Sequence, residues 1–389
     1  GLPVPEIEKR IEYAVSQLHI EELLGRSLFQ LSGGEKQKIA CASVAAACSE
    51  IIVLDEPSSN LDIYAIEDLK EILSKWKQQG KTIIIAEHRL HFLRNLADRM
   101  IVMDKGEIVK ELNQREILKL SVEDTGRMGI RPLRMEELHC TGDRGDSRKH
   151  DISLNGISYH YPGTKKGIQI DRIAVGEGAV VAVIGHNGAG KSTFAKCLCG
   201  LEKKCRGNLC INEKCYRSKE RLRNCYLVMQ DVNHQLFTES VLDEVLLSLN
   251  EDDREEHQKE EAAKEILRDM DLLEYAQAHP MALSGGQKQR CAIASAMASG
   301  RKIILFDEPT SGLDYRHMNQ VAANLRKLGE MGKTVFVITH DLELIMKCCT
   351  DILHLENGTV EEFYPLNQQN EAHIQAFSGM GRKPETKEE

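Results

Sequence analysis

The sequence repeats itself at a fixed interval. Leu31 stands against Leu283, Asp55 and Glu56 against Asp307 and Glu308, Asp62 against Asp314, His88 against His340 and Gly106 against Gly358. Each pair is 252 positions apart, and the offset holds without a gap from 31 to 106. Two related folding units on one chain are the simplest account of such self-similarity. The 389 residues are enough to give each unit a core of its own. A net charge of −9 argues against nucleic acid as the main partner. No apolar run approaches the roughly 18 residues that a bilayer span needs. The opening GLPVPEIEKR lacks the apolar core of a signal peptide. Any membrane role is therefore expected to run through a partner. The 12 cysteines are scattered with no CxxC pair, which favours reduced thiols over a disulfide framework or a metal site.

The second copy opens near Asp151 with the strand-like DISLNGISYHY, followed by AVVAVIG, an apolar run that feeds a helix. Between the copies, residues 135–150 are polar, carry two glycines and show no periodicity, so they read as a linker. The charged stretch 250–276 reads as a solvated helical lobe with Ile266, Leu267, Met270 and Leu273 on its apolar face. The closing GRKPETKEE reads as a disordered tail. Expected boundaries are thus 1–134 for the first copy, 135–150 for the linker, 151–366 for the second copy and 367–389 for the tail. In the second copy Lys191 precedes Ser284, but no such lysine precedes Ser32. Roughly 100 residues of the second copy have no counterpart in the first, and the expectation is that the chain is the C-terminal portion of a longer protein.

Three motifs carry chemistry. The stretch GHNGAGKST comprises Gly185, His186, Asn187, Gly188, Ala189, Gly190, Lys191, Ser192 and Thr193, on a strand-to-helix turn. Its glycines let the backbone N–H groups curl toward phosphate at a helix N-terminus that favours negative charge. Lys191 is expected to reach the β- and γ-phosphates of ATP, and the Ser192 hydroxyl to ligate Mg²⁺, a cation that prefers hard oxygen. The run KIILFDEP at 302–309 is an apolar strand ending in two acids, and EIIVLDEP at 50–57 repeats it. Acids at a buried strand end are costly unless paired or near metal, so Asp307 is expected to hold Mg²⁺ and Glu308 to polarise the attacking water. Glu56 is the equivalent acid of the first copy. The third motif is LSGG, with Ser32, Gly33 and Gly34 in one copy and Ser284, Gly285 and Gly286 in the other. It opens a helix whose unpaired N–H groups can grip a γ-phosphate, and in the first copy Ile39, Ala40, Ser43 and Val44 are expected to face the core.

The combination of GHNGAGKST, LSGGQKQR, LFDEPTSGLD and VITHD resembles the nucleotide-binding domain of ATP-binding cassette (ABC) ATPases, over nearly the whole chain except the linker and tail. The resemblance implies an α/β fold of two P-loop NTPase domains, the first incomplete. Each has a parallel-sheet core. An antiparallel β region is expected near 151–182 and a helical lobe around 240–300. It further implies that Gln230 is the glutamine that senses Mg²⁺, that Tyr161 stacks on adenine, that Asp314 is the aspartate following the catalytic strand, and that His340 and His88 are switch histidines near the γ-phosphate. In this family the LSGG of one domain grips nucleotide bound on the other. Head-to-tail pairing of the two copies is therefore expected, with Ser32–Gly34 serving the nucleotide on Gly185–Thr193.

Three classes of ABC protein compete. A coiled-coil chromosome ATPase fails because the interval from Lys191 to Ser284 has no room for the coiled coil. A two-domain translation factor acting on ribosomes usually carries a long charged linker, which this chain lacks. The segment MQDVNHQLFTESVLDEV, with Gln235 as a second glutamine, and the triplet EHR at 87–89 resemble the ATPases of energy-coupling factor (ECF) importers. That resemblance implies hydrolysis of Mg²⁺-ATP for import of a vitamin or metal ion. It also implies a peripheral place on the cytoplasmic face of the membrane, a transmembrane coupling (T-type) subunit, and a substrate-binding membrane subunit. The ATPase of another ABC importer, and the translation-factor class, stay as alternatives.

Overall fold

The computed structural model describes residues 2–28, 31, 33–59, 61–140, 151–164, 166–249 and 254–377. Ser32, most of the expected linker (141–150) and the end of the tail (378–389) lie outside the described residues. The chain forms two compact units, Gly1–Leu138 with Gln375–Glu389, and His139–Ile374.

The first unit runs α1 (Val4–Leu18), α2 (Gly33–Ala47), β1 (Ile51–Asp55), α3 (Ile63–Gln78), β2 (Thr82–Ala86), β3 (Arg99–Asp104), β4 (Glu107–Asn113), α4 (Gln114–Ile117) and α5 (Val122–Arg127). Strands β1 and β2 pair in parallel, and β3 and β4 form a separate antiparallel hairpin. Its core gathers Ala14, Val15 and Leu18 of α1, Cys41, Ala42 and Ala45 of α2, and Ile66, Leu69, Leu73 and Trp76 of α3. The face expected on α2 is thus corrected: Ala40 and Ser43 are exposed, and Ile39 and Val44 are only half-buried. The expected linker also begins inside packed structure, since Met135, Leu138 and Cys140 are buried around a short 3₁₀ turn at Met135–Glu137.

The second unit runs β5 (Ile152–His160), β6 (Gly167–Val175), β7 (Val180–Ile184), α6 (Lys191–Leu198), β8 (Arg206–Ile211), β9 (Lys214–Tyr216), α7 (Ser218–Arg221), β10 (Cys225–Val228), α8 (Val241–Ser248), α9 (Glu256–Asp269), α10 (Gly285–Ala298), β11 (Ile303–Asp307), α11 (Tyr315–Glu330), β12 (Thr334–Ile338), α12 (Leu342–Cys348), β13 (Asp351–Glu356) and β14 (Thr359–Pro365). Helix α13 (Glu371–Phe377) straddles the division between the units. The central sheet has the order β10-β11-β12-β7-β13-β14, parallel except for β14. Every residue of β7 and β12 is buried, the mark of a parallel sheet covered on both faces. One face packs Ile303, Leu305 and Phe336 against Phe194 and Leu198 of α6 and against Leu154, Ile168 and Leu209 of a second sheet. That sheet is antiparallel, of order β6-β5-β8-β9. It reaches Tyr216, well past the expected limit of 182, while β7 belongs to the central sheet.

The helical lobe is α8 to α10, as the charged stretch implied. Its buried face, however, is Ala263, Leu267, Met270 and Leu272, with Ile266 and Leu273 half-buried. The expectation of thiols throughout is also corrected, because Cys210 and Cys215 form a disulfide across the β8–β9 pair, where they are register partners. Their hairpin places them opposite each other, which the spacing in sequence does not disclose.

The repeat extends further than its motifs. Helix α2 corresponds to α10, β1 to β11, α3 to α11, β2 to β12 and the β3–β4 hairpin to β13–β14, all at the same offset. Burial separates the copies. Ile51, Val53 and Ile84 are 61%, 69% and 54% exposed, whereas their counterparts Ile303, Leu305 and Phe336 are wholly buried. In the second unit β7 sits between β12 and β13 and its α6 covers this face; among the described residues the first unit has no strand between β2 and β3. Deleting side-chain bulk should therefore weigh differently in the two copies. Leu305→Ala should lower stability by about 2–5 kcal/mol, the cost of a core truncation. Val53→Ala should change it by less than about 0.5 kcal/mol. Urea unfolding followed by far-UV circular dichroism reports the first, and fluorescence of the single tryptophan, Trp76, reports the second.

Candidate active site

All the parallel strands of the second unit end at one edge, and that edge collects the motif residues. Strand β7 delivers the loop Gly185–Gly190, and α6 begins at Lys191. Gly185 is required by its surroundings: φ is 147°, and a Cβ there would lie 2.1 Å from the carbonyl oxygen of Leu355. Lys191 is 7% exposed. Its Nζ donates to the carbonyl oxygens of Gly185 at 2.6 Å and His186 at 2.9 Å, so the loop's own backbone holds the ammonium. The Ser192 hydroxyl donates to Asp307 Oδ2 at 3.1 Å, joining the loop to the end of β11. Burial pushes the Asp307 carboxyl above its ordinary value, against the opposing pull of the Ser192 bond and the charges of Lys191 and Lys196. Tyr161 stands beside the same helix start, with its hydroxyl 3.3 Å from Thr193 Oγ1 and its ring edge-on to Tyr159.

Glu308 is held in a strained backbone state, φ 48°, and is 7% exposed. A non-glycine residue in this region costs on the order of 1 kcal/mol, and such strain gathers at functional sites. Its N–H donates to Ile338 O at 2.9 Å, and the Thr339 hydroxyl donates to its Oε2 at 3.4 Å. His340 Nε2 lies 3.7 Å from Glu308 Oε1, both side chains almost fully buried. Gln230 is exposed two residues beyond β10. Gln235 folds back and pins this turn: its Oε1 accepts from Met229 N at 3.1 Å, and its Nε2 donates to Tyr226 Oη at 3.2 Å. Ser284 caps α10 through a reciprocal pair with Gln287, leaving Gly285 with open space around it. The structure thus groups Lys191, Ser192, Asp307, Glu308, His340 and Tyr161 around one loop, with Ser284–Gly286 on the helical lobe. Asp314 serves as the N-cap of α11, where its Oδ1 accepts from His317 N at 2.8 Å.

The first unit keeps a looser version. Glu56 repeats the left-handed backbone, φ 44°, and its N–H donates to Ala86 O at 2.8 Å. His88 Nε2 lies 3.5 Å from Glu56 Oε1, but these side chains are 40% and 37% exposed. Gly33 and Gly34 begin α2. The sequence EHR in place of THD has a structural answer. In the second unit Asp341 accepts from the Thr310 hydroxyl at 2.8 Å and from Leu344 N at 3.3 Å, so it ties the loop after Glu308 to α12. In the first unit Glu87, two positions upstream of the equivalent place, ties the loop after Glu56 to the turn that follows β2. Its Oε2 accepts from Ser58 N at 3.1 Å, and its Oε1 from the N–H groups of His88 and Arg89 at 2.8 and 3.0 Å. The carboxylate is retained and its place in the chain is moved. The sequence, where EHR at 87–89 reads only as a family resemblance, does not disclose this role of Glu87.

Chemically, a loop of N–H donors beside a lysine, an oxygen pair and a carboxylate near a histidine can bind a polyphosphate and activate water against it. The ABC transporter family matches residues 5–59 and 169–311 of the chain. The chain belongs to that family. A protein of Treponema denticola, named as an ABC transporter ATP-binding protein, is 39% identical over 96% of the chain and 76% of its own length. One of Clostridium perfringens, named likewise, is 32% identical over 91% of the chain and 69% of its own length. Among solved structures, an archaeal ribosome recycling factor bound to a ribosomal stalk protein matches 98% of the chain and 74% of its own, at TM-score 0.68 and 24% identity. The cbiO1 protein of Clostridium perfringens matches 58% of the chain and 92% of its own, at TM-score 0.51 and 24% identity. These structural likenesses establish the fold. The chain is an ABC ATPase that binds and hydrolyses ATP, and no helix among its described residues is long and apolar enough to cross a membrane.

The raised pKa of Asp307 gives a direct test of the site. A carboxyl whose folded pKa lies above the unfolded value, near 3.8, costs stability as pH rises through the folded value. At pH 7 this buried carboxyl therefore weakens the nucleotide-free protein. Asp307→Asn keeps an acceptor for Ser192 and removes that cost. It should melt at or above the parent temperature at pH 7 while losing the stabilisation that Mg²⁺-ATP gives the parent. Thermal scans with and without nucleotide check both halves, and a lower melting temperature for the nucleotide-free variant would contradict the assignment.

Proposed function

We propose that the chain is the ATPase subunit of an ECF-type importer for a vitamin or metal ion. It would work at the cytoplasmic face of the membrane, through a transmembrane coupling subunit, while a separate membrane subunit binds the cargo. The turn after β10 carries this reading. Met229 and Phe237 flank it, 40% and 74% exposed, and Gln235 fixes its shape from within. An exposed aromatic on a pinned turn, next to the glutamine that resembles a nucleotide sensor, suits a helix end inserted by a membrane partner. The naming of the Treponema relatives as ABC transporter ATP-binding proteins supports the transporter class. The cbiO1 protein, part of the ABC transporter complex cbiONQ, has the same cassette fold. The likeness to a ribosome recycling factor over 98% of the chain favours the second reading, a factor acting on ribosomes.

Within the site, Lys191 and the loop N–H groups would bind the β- and γ-phosphates, and Tyr161 would stack on the adenine. The hydroxyl of Ser192 and the carboxylate of Asp307 already share a hydrogen bond, a hard-oxygen pair that suits Mg²⁺. With Gln230 they would hold the ion, which neutralises phosphate charge when bound. Glu308 would take the proton of the attacking water, oriented by Thr339, and His340 would face the γ-phosphate. We also propose that residues 151–366 are a complete cassette. Residues 1–134 would be the matching part of another.

Glu308→Gln should keep ATP binding and lower turnover by roughly 10²-fold or more, the usual scale for loss of a general base. A steady-state rate equal to the parent's would remove Glu308 from that role. Co-expression with a coupling subunit should carry the chain into the membrane fraction. Its recovery on ribosomes at physiological salt would instead favour the second reading.

A further inference from the structure

The β13–β14 hairpin touches the phosphate loop at three points. Strand β13 runs parallel to β7 with His354 opposite Ile184, and the two chains stay adjacent beyond the ladder. At the first point the Leu355 carbonyl closes against Gly185, as the 2.1 Å clash of a built Cβ records. Next, His186 Nδ1 forms a hydrogen-bonded pair with Glu356 Oε2 at 2.6 Å. At the third, the hairpin turn places Gly358, φ 82°, where its N–H donates to the Ala189 carbonyl at 2.9 Å. The turn is anchored in its own right, since the Gly358 carbonyl accepts from Gln169 N at 2.7 Å and Thr359 Oγ1 donates to Glu356 O at 2.9 Å.

Only one of the three contacts is made by side chains, and it bears on Lys191. The carbonyl of His186 accepts a hydrogen bond from the Lys191 ammonium. Where the His186 backbone sits therefore decides where that ammonium waits for a triphosphate. Glu356 is 29% and His186 39% exposed at the side chain, so neither is a core residue retained for packing alone. His354 stands behind the pair, its Nε2 3.9 Å from the same Glu356 oxygen. At the same offset the first unit has Asp104 and Val102 in place of Glu356 and His354, so the arrangement belongs to the second unit.

We propose that Glu356 is a positioning residue for ATP: by holding the His186 ring it fixes the first half of the phosphate loop in the shape that receives the β- and γ-phosphates. Preorganisation of this kind lowers the cost of binding and leaves the hydrolytic groups alone. Steady-state hydrolysis by the full chain should show Glu356→Ala with a KM for ATP raised about tenfold, the lower end for loss of a hydrogen bond to a charged group. Its kcat should stay within about twofold of the parent's. Glu356→Gln, which retains an acceptor for His186, should recover most of the KM. The double variant with His186→Ala should be no worse than the worse single, because one interaction is lost only once. Should Glu356→Ala fold poorly, equilibrium binding of ATP to His186→Ala reads the same contact without disturbing the sheet. An unchanged KM, single effects that add, or a Gln variant as impaired as the Ala variant would each overturn the proposal.

Discussion

The hydrogen bond between Ser192 and Asp307 joins two stretches of chain 115 residues apart and fixes the geometry on which the site depends. It forms because β7 and β11 are parallel strands of one sheet, so the loop leaving one and the acid ending the other meet at the same edge. Asp307 is desolvated there, and Ser192 and the lysine charges moderate the cost without removing it. Glu308 follows at once, forced into a left-handed turn that brings it within reach of His340. Strain and desolvation at adjacent residues are two destabilising features in one place, which a fold tolerates where binding and chemistry need them.

The first unit shows what the same sequence pattern yields where the described residues include no counterpart of β7. Its strand, acid and histidine recur, and Glu56 adopts the same left-handed backbone as Glu308. Yet Asp55 is exposed where Asp307 is half-buried, and the Glu56–His88 pair is open where Glu308–His340 is enclosed. Local sequence thus sets the turn, while the desolvation that tunes the acids comes from neighbouring strands. The relocation of a carboxylate from position 341 to the position equivalent to 339, as Glu87, makes the same point. In both units an acceptor joins the loop after the strand-end acids to the turn around the histidine, and either position can present it.

Much of this was legible before any coordinates. The strand–loop–helix around Lys191, the apolar strands ending in paired acids and the helical lobe follow from periodicity and glycine placement, because those signals are local and strong. The buried face of α2 was misplaced, since GGEKQKIACASVAAA has small residues on every side and no apolar stripe to read. The antiparallel sheet was cut short because β8 and β9, in RGNLCI and KCY, are brief and interrupted by a polar turn. The disulfide between Cys210 and Cys215 and the His186–Glu356 pair join groups that only tertiary structure makes neighbours.

We propose that nucleotide is held on one loop, Gly185–Thr193, with Lys191 as its charged contact. Equilibrium titration of the intact chain with a fluorescent ATP analogue in Mg²⁺ tests this most directly, read for the parent and for Lys191→Met. The parent should bind, and Lys191→Met should bind at least about tenfold more weakly, as expected for loss of a charge-assisted contact to phosphate. Binding by Lys191→Met with the parent's affinity would contradict the account.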